Sequence, residues 1–241
     1  MLSLVKECRW REIETAVREN PRLIEYRDKK GRNWLHLCCG VDVRKRRVKA
    51  RDSIRTAEIL LRAGLDINHG AFSEGRWKAT PLWYSIAFGK NLALATYLLK
   101  RGSDPNHCLW AAAYNDNADA IRLLIHHGAE DAGTKESSPF LAAIMWRRFI
   151  AAEELLKRGA DVNFQNPKKM TALHYLLKQG SDIKYVRMLI KYGARGNLKN
   201  DLGVTAAEIM SRKRDPQLRA MAKRLSSVST RAATHQGRVR I

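Results

Sequence analysis

The stretch Gly159-Ala160-Asp161-Val162-Asn163, followed after an eight-residue step by Thr171-Ala172-Leu173-His174-Tyr175-Leu176-Leu177, decides the fold. Gly159 closes the run Leu155-Leu156-Lys157-Arg158 and stands where a helix must stop in a left-handed conformation. Thr171 can cap the next helix, whose apolar residues follow at once. A helix–turn–helix unit of this kind cannot bury its apolar face alone, so neighbours must stack on both sides.

Working outward, comparable helix openings occur at Asn33-Trp34-Leu35-His36, Thr80-Pro81-Leu82-Trp83, His107-Cys108-Leu109-Trp110, Ser138-Pro139-Phe140-Leu141 and Thr205-Ala206-Ala207-Glu208. With Thr171, the successive spacings are 47, 27, 31, 33 and 34 residues. The helix endings form a second series in phase with the first: Leu60-Leu61 to Gly64, Leu98-Leu99 to Gly102, Leu123-Leu124 to Gly128, Leu155-Leu156 to Gly159 and Leu189-Ile190 to Gly193. These two series resemble the ankyrin repeat over about residues 2–225. The resemblance implies an all-α solenoid of stacked helix–turn–helix units with β-hairpin fingers. It also implies binding on a concave surface of inner helices and fingers, without catalysis.

Taken in order, an N-terminal cap over 1–27 precedes repeats at about 28–68, 69–106, 107–132, 133–163 and 164–197, with a C-terminal cap at 198–225. These are read as one continuous domain. Three departures from the template stand out. About ten extra residues, Gly40 to Asp52, sit between the two helices of the first repeat and carry Arg44-Lys45-Arg46-Arg47-Val48-Lys49-Ala50-Arg51. The next finger is long and carries Phe72, Arg76, Trp77 and Lys78. After it, Asp104-Pro105-Asn106 runs straight into His107, which predicts a missing finger. From Ser226 to Ile241 no apolar period remains, which predicts a basic, mobile tail with room for a partial helical extension.

Charge is the unusual bulk property: 45 Lys+Arg against 24 Asp+Glu give a net +21 in 241 residues. Such a balance favours acidic partners and says nothing about fold. No stretch approaches the roughly 20 apolar residues that span a bilayer, and the first residues lack a secretory pattern. Cys8, Cys38, Cys39 and Cys108 form no Cys-x-x-Cys pair and read as buried reduced thiols, which predicts a cytoplasmic location. The Arg44–Arg47 run leaves a nuclear location open for a eukaryotic source.

No phosphate loop, nucleophile elbow or zinc helix is present, so no catalytic, cofactor or metal residue is expected and the chain is read as a non-enzyme. Adjacent His126 and His127 point about 100° apart on a helix and make a poor metal pair. His36 and His174 stand where the family's histidine ties one repeat to the next. Trp83 and Trp110 replace it in two repeats and read as packing between repeats. Trp77 is left open between a partner contact and local packing.

Cations at helix C-termini, such as Lys100, Arg101, Lys157, Arg158 and Lys191, complement helix dipoles. Those in the turns joining paired helices have no such account. Arg44, Lys45, Arg46, Arg47, Lys49, Arg51, Arg147 and Arg148 lead this group, which predicts a basic rim; the alternative is a solvated edge that only aids solubility. The expected function is a monomeric protein–protein interaction module recognising an acidic protein surface. Nucleic-acid association through the basic rim is the second reading, weakened by the lack of any recognition-helix, zinc-finger or RNP-like motif.

Overall fold

Each outer-helix run ending in Leu-Leu or Leu-Ile is closed by a glycine in the left-handed backbone: Gly64, Gly102, Gly128, Gly159 and Gly193 have φ between 85° and 101°. The computed structural model describes residues 1–74, 77–130 and 133–235, without the side chains of 73, 74, 77 and 226–235. The chain divides into two compact units, Met1–Glu130 and Asp131–Ile241. The division falls at an expected repeat boundary, where the sequence reading has no domain boundary.

The first unit begins with α1 (Leu2–Lys6), α2 (Trp10–Glu19) and a 3₁₀ turn at Pro21–Glu25. It continues through α3 (Trp34–Cys39), α4 (Val43–Arg46), α5 (Ala50–Arg62), β1 (Ala71–Glu74) and β2 (Trp77–Ala79). Then follow α6 (Pro81–Tyr84), a π turn at Ser85–Gly89, α7 (Leu92–Lys100), α8 (Cys108–Tyr114) and α9 (Ala118–His126). Inner helices α3, α6 and α8 pack in series, and outer helices α2, α5 and α7 pack beside them. Leu35, Leu60, Leu82, Leu94, Leu98 and Leu109 are buried between the rows. Ala111, Ala112 and Ala113 are small enough to let α8 approach its neighbours closely.

The extra residues of the first repeat are not a formless loop. Asp42 accepts hydrogen bonds from the N–H groups of Arg44 and Lys45 and so caps α4, and α5 starts at Ala50, three residues before the position expected at Ser53. Among the described residues the long finger alone forms a ladder, with β1 and β2 antiparallel and a register break between Ala71 and Ser73. Three other fingers are short turns around one Asx side chain, and the last of them holds a single antiparallel bridge between Lys199 and Thr205. Asp28 accepts from Lys30 and Arg32, Asn166 from Met170, and Asn200 from Leu202 and Val204. Between α7 and α8 only Arg101 to His107 intervene, and no finger forms there.

The second unit comprises α10 (Pro139–Met145), α11 (Phe149–Lys157), α12 (Ala172–Lys178), α13 (Ile183–Lys191), α14 (Ala206–Ser211) and α15 (Pro216–His235). Inner helices α10, α12 and α14 stack, burying Phe140, Leu141, Leu173, Leu176 and Met210. Helix α15 continues to His235, the partial helical extension left open for the residues from Ser226. No Gly or Pro interrupts the chain between Pro216 and Gly237, and Ala232 and Ala233 favour helix. Residues 236–241 lie outside the described part. All four cysteines are buried free thiols; burial pushes Cys39 and Cys108 above the usual thiol range, and Cys38 is raised by its hydrogen bond with Cys8 and by burial.

Candidate functional site

Two side-chain devices recur along the stack and set the frame for any surface. His174 Nδ1 receives the N–H and hydroxyl of Thr171 at 3.2 and 2.8 Å, so its proton sits on Nε2 and is donated to Val204 O at 3.2 Å. His36 is placed likewise, with Asn33 N–H on Nδ1 and Nε2 donating to His69 O at 2.9 Å. Burial drives the His36 ring down to about 4 and lowers His174 as well. The second device is an asparagine at the outer-helix end. Asn68 donates to Gly102 O and accepts from Asp104 N, and Asn163 does the same with Gly193 O and Arg195 N. The histidine tie is thus found where the sequence predicted it.

At Trp83 and Trp110 the histidine tie is absent, and both indoles are half-buried. Trp83 meets Tyr84 and Phe88 edge-on at ring separations of 5.3 and 5.4 Å, and Tyr84 lies 5.6 Å from Phe88. Tyr84 also packs edge-on against His36 at 5.4 Å, under the Arg32 guanidinium at 5.8 Å. Asp28 holds Arg32 by an ion pair at 2.7 Å. Phe88 remains 53% exposed, and Tyr114, which ends α8, 57% exposed.

The backbone under this face is irregular for a visible reason. A Cβ on Gly89 would lie 2.2 Å from Cys39 O, so the chain can approach α3 this closely only as glycine. The π turn frees the carbonyls of Ile86 and Ala87, and Asn115 Nδ2 donates to both at 3.0 Å. Lys90 then reverses the chain with φ 46° and projects an exposed ammonium beside the aromatic face.

The long finger adds a further apolar point. Phe72 N–H donates to Lys30 O at 2.9 Å, joining neighbouring fingers, and Lys30 Nζ lies 5.2 Å from the Phe72 ring centre. The register break in the finger accompanies a φ of 46° at Phe72, and its ring stays 46% exposed. Lys78 is exposed on β2. Arg76, and the side chain of Trp77, lie outside the described residues.

The structure places Arg44, Lys45, Arg46, Arg47, Lys49 and Arg51 on the surface, in and after α4 and in the first turn of α5. In the second unit Arg147 is exposed at φ 59°, while Arg148 is half-buried and leads into α11. Met145, Trp146 and Ile150 form an exposed apolar group beside them, and Gln179 donates to Met145 O. Among the described residues, no group of three or more His, Cys, Asp or Glu side chains could hold a metal ion, and no helix is long and apolar enough to cross a membrane.

A family model described as ankyrin repeats (three copies) matches residues 82–166 and 108–200. The chain is an ankyrin repeat protein. Its fold is similar to the ankyrin repeat domain of human ASB11, with a TM-score of 0.71 at 18% identity, covering 92% of this chain and 96% of that one. It is also similar to the ankyrin repeat domain of Bcl-3, with a TM-score of 0.69 at 20% identity over 90% and 94% of the two chains. Inversin from Gallus gallus is 30% identical over 116 residues, which is 46% of this chain and 10% of inversin. The chain therefore spans about a tenth of the curated relatives it matches. Ankyrin repeats are generally protein–protein interaction modules, and such stacks seldom carry catalysis of their own.

Within the ankyrin stack, the sequence reading found the finger and the basic insertion but missed Phe88, Tyr114, Met145, Trp146 and Ile150. A signal was available. Counting eight residues from Thr80 and Ser138, and seven from His107, gives Phe88, Trp146 and Tyr114, an aromatic at the end of three inner helices. Ends of buried helices were read there only for charge.

Proposed function

We propose that the protein is a non-enzymatic interaction module that binds an acidic protein partner, with the aromatic face of Trp83, Phe88 and Tyr114, backed by the buried Tyr84, as its principal contact. The observation that carries this reading is the exposure of two large aromatics over a backbone fixed from beneath by Gly89 and Asn115. Rigid aromatics offer contact area at little entropic cost and serve as interface anchors. Arg32 lies over Tyr84 and Lys30 over Phe72, and Lys78 and Lys90 are exposed on the same repeat, which supports an acidic counterpart.

Phe72, with Arg76, Trp77 and Lys78 of the same finger, extends this contact. The cations from Arg44 to Arg51 steer an acidic partner at longer range, and Arg147 and Arg148 do so from the second unit. The module acts as a monomer in the cytoplasm.

Affinity capture from extract of the protein's own source, with identification of what is retained, tests the reading. Phe88→Asp with Tyr114→Asp should cut capture of the dominant acidic protein by at least about tenfold. Leu202→Asp, at a 79% exposed position in the second unit, should leave capture unchanged. Equal capture by all three proteins would remove the aromatic face from the account, and a basic dominant partner would remove the acidic preference.

A further inference from the structure

The cations of the first-repeat insertion are set apart by their density, with six of the eight residues from Arg44 to Arg51 basic. Some cations elsewhere are engaged: Arg9 with Glu12, Arg32 with Asp28, Arg62 with Glu58, Lys157 with Glu153, Arg158 with Glu154 and Lys184 with Asp182. Among the described residues no carboxylate forms an ion pair with Arg11, Arg44, Lys45, Arg46, Arg47, Lys49 or Arg55, and all seven are exposed. The two local acids are already occupied. Asp42 caps α4 through the N–H groups of Arg44 and Lys45, and Asp52 lies 3.9 Å from Arg51. Helix α5 packs on α2, and Arg11 and Arg55 both lie over the Trp10 ring, 4.4 and 4.7 Å from its centre. That contact ties the cations of the insertion to those of α2 in one surface.

What this surface lacks decides its ligand. Protein interfaces are built around apolar anchors, with charge depleted at the centre. None of the large exposed apolar side chains falls between residues 40 and 60. Trp10, the aromatic residue of this patch, already carries two guanidiniums and is half-buried, so it offers no open ring on which a base could stack. Arginine predominates, and its planar fork matches phosphate oxygens in pairs. Phosphate contacts of this type position a protein on nucleic acid without reading bases.

We propose that the surface formed by Arg44, Lys45, Arg46, Arg47, Lys49, Arg51, Arg55 and Arg11 binds the phosphate backbone of double-stranded nucleic acid without sequence preference. The duplex is favoured over a single strand because its charge density along the axis is about twice as high and because no stacking platform is open. This activity is separate from the aromatic face, and neither depends on the other.

The test uses the full chain and a fluorescent DNA duplex of about 20 base pairs, followed by anisotropy between roughly 50 and 200 mM salt. Three variants are compared with wild type. The first replaces Arg44, Arg46, Arg47 and Arg51 by Gln. The second makes the same loss of charge in the second unit, at Lys168, Arg195, Lys199 and Lys223. The third replaces the four insertion arginines by Lys. The first variant should bind at least about tenfold more weakly, with a log–log salt slope shallower by up to about 3.6, since each phosphate contact contributes roughly 0.9. The second should lose less than about threefold, as positions away from the contact contribute only long-range attraction. The third should keep the wild-type salt slope, because lysine retains the charge, but bind about threefold more weakly for want of the paired fork.

A duplex of shuffled sequence should bind equally, and a single strand of the same length more weakly. Equal losses in the first two variants would overturn the proposal, because binding would then follow net charge alone. So would a sequence preference, tighter single-strand binding, or retention on phosphatidylserine vesicles or polyglutamate under salt that releases the duplex. Thermal melts of all variants within a few degrees of wild type keep a folding defect from passing as a binding defect.

Discussion

The junction from Gly159 to Thr205 and the stretch from Gly40 to Asn115 use the same helix pair, and they differ in what holds one inner helix to the next. In the regular junction a buried histidine reaches the chain of the following repeat, with His174 donating to Val204 O. In the irregular stretch Trp83 and Trp110 occupy that position, and Asn115 ties the repeats instead by catching two carbonyls of the π turn. The outer-helix ends keep one device in both regions, through Asn68 and Asn163. The stack therefore holds together wherever one of two inner ties is present. Where the histidine is given up, large aromatics reach solvent at Phe88 and Tyr114.

The most severe way to break the irregular region is Gly89→Ala. The added methyl would meet Cys39 O at 2.2 Å, and urea unfolding should show a loss of about 3 kcal/mol, the upper range for overpacking. A loss below about 1 kcal/mol would mean that the π turn shifts freely and is no fixed support for the aromatic face.

Acid should separate the two histidine ties from the asparagine tie. Burial keeps His36 near 4 in the folded chain, against about 6.5 unfolded, so the unfolded state binds more protons between those values. Stability is thus full above pH 6.5 and falls as pH drops toward 4, by on the order of 3 kcal/mol from His36, with a further loss of the same sign from His174. Urea midpoints measured across this range should decline, and His36→Gln should flatten the decline. An unchanged slope in that variant would place the acid sensitivity elsewhere.

Asn115→Ala leaves two carbonyls without their donor and should cost about 2 kcal/mol. Gln179→Ala removes one bond to Met145 O at an exposed site and should cost less than about 1 kcal/mol. A larger effect at Gln179 would reverse the ranking of the two regions. One expected change is a gain. Asn33 Oδ1 lies 2.7 Å from the acceptor nitrogen of His36, and its Nδ2 is buried without a partner. Thr171 has a hydroxyl that can donate there, so Asn33→Thr should stabilise by about 1 kcal/mol, a rise of a few degrees in Tm.

The regular half of this comparison was legible in the sequence because its determinants are local and periodic. The glycines that end helices, the capping Thr171 and Thr205, and His174 each act within one turn or one repeat. The short helix α4 was missed because it depends on Asp42 capping a single turn, which a search for apolar periods passes over. The π turn at Ser85–Gly89 was illegible for a different reason: it arises from the approach of Gly89 to Cys39, fifty positions earlier in the chain. Charge located the basic insertion, because exposed cations need no partner to be recognised. The aromatic face needed a structure, since Phe88 and Tyr114 read as core until their exposure is known.

Hydrogen exchange on the chain alone and on the chain saturated with its captured partner tests most directly whether binding resides in the irregular stretch. Protection should rise at residues 80–91 and 108–116 and remain unchanged from 159 to 177, as expected for a rigid face that becomes covered. Protection centred on 159–177, with 80–91 unaffected, would contradict the account.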